Sequence, residues 1–202
     1  VLALFRCVSS SPAAAVQALN NRLKNQEGDS VEEEDFIIND LDNVDEGTDS
    51  DVEPALWFDE SAELNTLLAE ARTLAGSKND PKIRLLAKHV KELLAEGFNP
   101  VIFCRFVATA QYVYDALKEE LKKEDDVAIG CVTGELVPGE REERVNDLGE
   151  KEKRVLVATD CLSEGINLQD LFTAVVHYDL AWNPTRHEQR EGRVDRFGQK
   201  AK

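Results

Sequence analysis

Arg154-Val155-Leu156-Val157-Ala158-Thr159-Asp160 is a β-type apolar run that ends in small polar residues, and three other runs in the chain share its character. They are Pro100 to Cys104, Val127 to Val132 and Ala174 to Tyr178, with helical patterns between the runs at about 108 to 123 and 138 to 149 and a third after the last at about 184 to 195. Strand alternating with helix predicts an α/β fold, a parallel β-sheet flanked by helices, rather than a bundle or a sandwich. In open parallel sheets ligands bind beyond the carboxyl ends of the strands. The loops after Cys104, Val132, Ala158 and Tyr178 are therefore expected to share one edge.

Upstream of Gly97 the pattern is helical. Ser11 followed by Pro12 opens a helix that runs to Lys24, with little nearby to pack on. Leu64, Leu67, Leu68, Ala71 and Leu74 recur at helical spacing up to Gly76, and Asp80-Pro81 opens a further helix that stops at Gly97. Between these lies an acidic stretch rich in turn-forming residues, which reads as a flexible segment. The expected organisation is a linker helix over 1–26, an acidic flexible segment over 27–60 and the main lobe over 61–202.

The net charge of −16 argues against a nucleic-acid partner until it is resolved by segment. Of the 40 Asp and Glu, 16 lie between Glu27 and Glu63, where there is no Lys or Arg; the other 24 are matched by the chain's 24 Lys and Arg. The body is neutral, and Asn183 to Lys202 carries six basic against three acidic residues. No run is long enough to span a membrane and no signal peptide is visible at Val1-Leu2-Ala3-Leu4-Phe5-Arg6. Cys7, Cys104, Cys131 and Cys161 are irregularly spaced, which fits reduced, partly buried thiols in a cytoplasmic protein. The chain has no Met and opens mid-pattern, so it is expected to be a piece of a longer polypeptide.

Two segments carry candidate chemistry. Gln189-Arg190-Glu191-Gly192-Arg193-Val194-Asp195-Arg196 places arginines at i+3 spacing, which on a helix aligns phosphate-sized forks on one side. The same spacing also fits a solvated basic face with Glu188 and Glu191 as partners. The turn after Ala158 passes through Thr159, Asp160 and then Glu164-Gly165-Ile166-Asn167, where Gly165 lets backbone approach a sugar or phosphate closely. An Asx-turn capped by Asp160 fits it equally. His89, His177 and His187 and the four Cys show no metal-ligand spacing, so no metal is expected.

In this order and spacing the segments resemble the C-terminal RecA-like lobe of superfamily 2 helicases and translocases. Val157 to Asn167 is similar to helicase motif V and Gln189 to Arg196 to motif VI. Val101-Ile102-Phe103-Cys104-Arg105-Phe106 is similar to motif IV, and Val132-Thr133-Gly134-Glu135 with Arg141 or Arg144 to the strand-gripping segment between them. Ile166-Asn167-Leu168-Gln169, Trp182-Asn183-Pro184 and Arg196-Phe197-Gly198-Gln199 look most like the SWI/SNF-type DNA-dependent ATPases, especially bacterial ones. Asp195 departs from both the remodeller and the DEAD-box pattern, and Gln189 from the DEAD-box one.

The resemblance implies a RecA-like sheet of the P-loop NTPase type, with extra N-terminal helices. It implies ATP with Mg2+ as cofactor, Arg193 and Arg196 as catalytic arginine fingers, and Gln189, Asp160, Gly165 and Arg190 near the nucleotide. It assigns Arg105, Thr133, Gly134 and Thr159 to a nucleic-acid backbone, double-stranded DNA by the SWI/SNF likeness and RNA as the alternative. The chain contains no Gly-x-x-x-x-Gly-Lys-Ser/Thr loop, so the phosphates would be held by an N-terminal RecA-like lobe. Residues 1–26 would then brace the two lobes, and the chain alone is expected not to hydrolyse ATP. A non-catalytic reading also stands, in which the acidic segment recruits a basic protein or shields the DNA surface.

Overall fold

The computed structural model describes residues 2–26, 61–76, 78–122, 124, 126–163, 166, 168–181 and 183–195. They form two compact units, divided between Ala75 and Gly76.

The first unit holds α1 (Leu2–Ser10), α2 (Pro12–Gln26) and α3 (Ser61–Leu74). Ser11 separates the first two: its Oγ accepts from the Ala14 amide at 3.1 Å, and Pro12, which has no amide to satisfy, begins α2. Ala15 and Leu19 of α2 are buried with Leu64, Leu68 and Ala71 of α3. The helix expected to have little to pack on thus has α3 as its partner. Residue 61 accordingly opens a helix of the first unit, and the second begins at Gly76. The acidic flexible segment expected over 27–60 lies outside the described residues.

The second unit begins with α4 (Pro81–Ala95). Asp80 caps it, accepting from the amides of Lys82 at 2.8 Å and Ile83 at 3.3 Å. Gly97 closes it with φ +88°, a conformation that costs a residue without Cβ little, while Phe98 N–H reaches back to the Leu93 carbonyl at 2.8 Å. The strands are β1 (Pro100–Phe103), β2 (Val127–Val132), β3 (Lys153–Ala158) and β4 (Ala174–His177), and α5 (Val107–Glu120), α6 (Pro138–Leu148) and α7 (Pro184–Glu191) alternate with them.

All strand pairs are parallel, in the order β2-β3-β1-β4. Strand side chains alternate between faces, so the sheet has two cores. Ile102, Cys104, Val155 and Val157 join α4 and α5 on one face, while Val101, Phe103, Leu156 and Ala158 meet Val145 and Leu148 of α6, with Phe172 and Val194, on the other. The expected α/β class, a RecA-like parallel sheet flanked by helices, is the observed one. From β1 the chain crosses toward β2, and from β3 it crosses toward β4. The neighbouring ends of β1 and β3 therefore lie where the connections diverge, the place at which open sheets form a crevice.

Candidate functional site

The ends of the four strands are tied together by charged side chains. Beyond β3 the chain makes a 3-10 turn over Asp160–Ser163, and α7 comes back over it from the end of β4. Arg190, 3% exposed, forks onto Asp160 with Nε at 2.6 Å from Oδ1 and Nη2 at 2.8 Å from Oδ2. Its Nη1 donates to the Asp179 carbonyl at 3.0 Å, and its guanidinium lies 5.4 Å from the Phe103 ring centre. Arg186 adds a looser contact to the same carboxylate at 3.6 Å.

Arg193 differs from Arg190 in every respect that matters for a ligand. The helix ends at Glu191 and Gly192 closes it, so Arg193 lies in the following turn rather than on the helix face. The expected single-sided ladder is therefore interrupted after Arg190, where the α-helical run ends. Arg193 is half-buried and donates through Nη1 to the Leu162 carbonyl. Burial pushes its pKa down, with the Asp160 charge opposing. A guanidinium that has lost water without gaining a carboxylate fork is suited to an incoming anion.

The other strand ends connect to this pair. Asp179, 7% exposed, accepts from the Arg105 amide at 2.9 Å and from Lys82 Nζ at 3.1 Å. The Arg105 guanidinium stands 5.4 Å from the Phe106 ring centre. Thr159 N–H donates to the Val132 carbonyl at 3.2 Å, which sets the Thr133 and Thr159 positions beside each other on adjoining strands. Arg141 laces the two loops, donating to the carbonyls of Gly134 at 2.9 Å, Leu136 at 2.6 Å and Cys161 at 3.1 Å.

The structure thus brings Asp160, Arg190 and Arg193 into one cluster, and sets Thr133, Gly134, Thr159 and Arg105 along the same edge. Gln189 is exposed on α7 beside them. Gly165 and Arg196 lie outside the described residues, as do Asn167, Trp182 and the Phe197-Gly198-Gln199 stretch. The tying role of Lys82, through its ion pair with Asp179, was not legible in the sequence. Among the described residues no group of three or more His, Cys, Asp or Glu could hold a metal ion, and no helix is long and apolar enough to cross a membrane.

Comparison with known proteins agrees with this geometry. The family model described as helicase conserved C-terminal domain matches residues 81–198. Eukaryotic initiation factor 4A of Dictyostelium discoideum is 36% identical over 100 residues, which is 50% of this chain and 23% of that protein. The uncharacterized ATP-dependent helicase YqhH of Bacillus subtilis is 49% identical over 55 residues, 27% of this chain and 10% of that protein. The chain spans about a quarter of the length of the first relatives it matches. Among solved structures, the Sulfolobus solfataricus SWI2/SNF2 ATPase core in complex with double-stranded DNA is similar with TM-score 0.51 and 21% identity, over 94% of this chain and 36% of that one. Domain 2 of the DEAD-box helicase Mss116p, bound to an RNA duplex, also has TM-score 0.51, with 24% identity over 59% of this chain and 46% of that one. At these identities the likeness is one of fold.

Proposed function

The chain belongs to the helicase conserved C-terminal domain family, and on that premise we propose that it is the second motor lobe of a nucleic-acid-dependent ATPase that moves on double-stranded DNA. The observation that carries the reading is the contrast within the arginine cluster: Arg190 is locked to Asp160, while Arg193 is half-desolvated and free of a carboxylate fork. In this reading Arg190 and Asp160 fix the end of α7 to the turn after β3, and the next turn presents Arg193 across a cleft. Arg196 completes the pair of fingers.

The residues present fit one edge of a nucleotide. Arg193 and Arg196 would meet its terminal phosphate, with Gln189 and Gly165 nearby, and a preceding RecA-like lobe would hold the other phosphates and Mg2+. ATP with Mg2+ supplies the phosphoryl bond that is broken. The chain's own contribution is positive charge placed where negative charge builds up, and positioned guanidiniums of this kind are worth about 10³ to 10⁵ in rate. Thr133, Gly134, Thr159 and Arg105 would hold a phosphodiester backbone through hydroxyl, amide and guanidinium groups. Residues 1–26 would act as a brace to the preceding lobe, and the acidic segment 27–60 would meet a basic protein partner or shield the nucleic-acid surface.

Double-stranded DNA is favoured by Ile166-Asn167-Leu168-Gln169, Trp182-Asn183-Pro184 and Arg196-Phe197-Gly198-Gln199, which resemble the SWI/SNF-type segments. An RNA helicase lobe is the second reading, supported by the 36% identity to initiation factor 4A. The test is ATP turnover by the full-length protein with duplex DNA or RNA added. Arg193→Ala and Arg196→Ala are each expected to lower stimulated turnover by about 10³ or more while a fluorescent ATP analogue still binds. Turnover that survives both substitutions refutes the motor role, and stimulation by RNA alone replaces the DNA assignment.

A further inference from the structure

His177 closes β4 and His187 lies one turn into α7, and their rings meet edge to face with centroids 4.6 Å apart at 86°. Three polar contacts hold the pair. His187 Nε2 faces the Ala181 carbonyl at 3.1 Å, His177 Nε2 faces Glu191 Oε1 at 3.2 Å, and the two Nδ1 atoms face each other at 3.4 Å. A carbonyl and an ionised carboxylate only accept, so each outer nitrogen must carry a hydrogen for its contact to form. The inner Nδ1···Nδ1 contact is then the one place where a proton can be gained or lost. One proton makes an N–H···N bond there, and a second sets two N–H groups head to head. The surroundings also resist added charge at His177: burial, the His187 ring and Arg190 all act against it, with Glu191 opposing them.

We propose that His177 and His187 form a latch that holds one proton and not two while α7 lies against β4, so that acidification releases the helix carrying Arg190 and leading to Arg193. Neither imidazole is placed at the phosphate or the nucleic acid; both are positioning residues. The sign follows from counting protons. With α7 undocked the two imidazoles charge independently near pH 6.5, whereas docked the pair stops at one. Below about pH 6 the undocked state binds more protons, so over that range docking strengthens as pH rises and weakens as it falls. One excess proton changes the docking equilibrium by about tenfold per pH unit below about pH 6.

Long-range proton–nitrogen spectra of the histidine-labelled 202-residue chain, recorded from pH 8 to pH 5, read each imidazole nitrogen with no nucleotide present. One of the pair's four nitrogens is expected to stay bare until the amide signals of residues 185–193 shift together. Full protonation of both rings with those amides unmoved overturns the latch. His187→Phe keeps an edge-to-face ring and removes the shared proton, and its α7 amides are expected to hold their positions down to pH 5; release with unchanged steepness also overturns the proposal. Should that variant not fold, the spectra of the unaltered chain decide alone. In the full-length protein the same substitution is expected to flatten the acid limb of ATP turnover, a readout that rests on the motor reading. Loss of that reading with the one-proton signature intact would leave the latch standing.

Discussion

Arg190 and Arg193 are three residues apart and chemically identical, yet one is tied to a carboxylate and the other is half-buried against a carbonyl alone. Arg190 makes three hydrogen bonds within the chain while 3% exposed, so removing its side chain leaves the Asp160 carboxylate and the Asp179 carbonyl without their partner. Breaking a buried pair from one side costs about 3–5 kcal/mol. Arg190→Ala is expected to lower urea stability by about that amount, and Arg190→Lys to recover only part of it, since an ammonium cannot fork. Arg193→Ala, which loses one carbonyl contact, is expected to cost about 1 kcal/mol. Equal losses in the two variants would remove the distinction on which the site is built. The i+3 spacing made both arginines visible in the sequence. Which of them finds a carboxylate was not visible, because Asp160 is remote in sequence and meets α7 only through the sheet.

The thiols make a second residue-scale test. Burial pushes Cys131 up to about 12, raises Cys104 well above its ordinary value, and raises Cys161. Tyr112 is likewise pushed to about 12, by burial first. An unfolded thiol ionises near 8.5 and a tyrosine near 10, so between those values and about 12 the folded chain binds more protons than the unfolded one. Stability is therefore expected to fall as pH rises above about 9, and Tyr112→Phe to remove part of the upper slope. Urea midpoints measured from pH 8 to pH 11 check this; a flat or rising series contradicts it. The sequence marked Cys104 and Cys131 as partly buried, since both lie within apolar runs.

At the scale of elements, α4 shows what local chemistry fixes. Its start at Asp80-Pro81 and its stop at Gly97 were legible because both are set by residues whose backbone or side-chain needs are local. Asp80 also works beyond the helix: Oδ2 accepts from the Tyr112 hydroxyl at 3.0 Å, and that hydroxyl accepts from the Gly76 amide at 3.0 Å. Losing an N-cap costs about 0.5–2 kcal/mol, and the stranded Tyr112 hydroxyl adds to it. Asp80→Ala is expected to destabilise by about 2 kcal/mol, and Tyr112→Phe in the same chain to recover part of that. A double-mutant cycle measures the coupling, and strict additivity would show that the two side chains do not cooperate. The order β2-β3-β1-β4 was not legible in this way. Strand runs fix direction and face, but neighbours are chosen by pairing between residues such as Val101 and Leu156, and no local pattern encodes that choice. The partner of α3 was missed for the same reason, since periodicity shows which face is apolar and not what covers it.

At the scale of the whole chain, the described cores do not share residues between the two units. The sheet's two clusters draw on residues from Ile83 to Val194, and the helical cluster on Leu4 to Ala71. Independent cores predict independent unfolding. Residues 76–202 expressed alone are therefore expected to keep a cooperative transition, with stability within about 1 kcal/mol of its value in the whole chain. The helical unit should fare differently. Among its described residues the core cluster is Ala15, Leu19, Leu64, Leu68 and Ala71, with Cys7 and Ala14 also buried, a small apolar area set against about 1–2 kcal/mol of backbone entropy for every residue ordered. Residues 1–75 alone are expected to show no cooperative thermal transition by circular dichroism, as the proposed bracing role requires. A sharp transition from 1–75, or loss of cooperativity in 76–202, would mean that stability is partitioned differently. In that case the first unit would be a folded domain with a function of its own, and the brace assignment would fall with it.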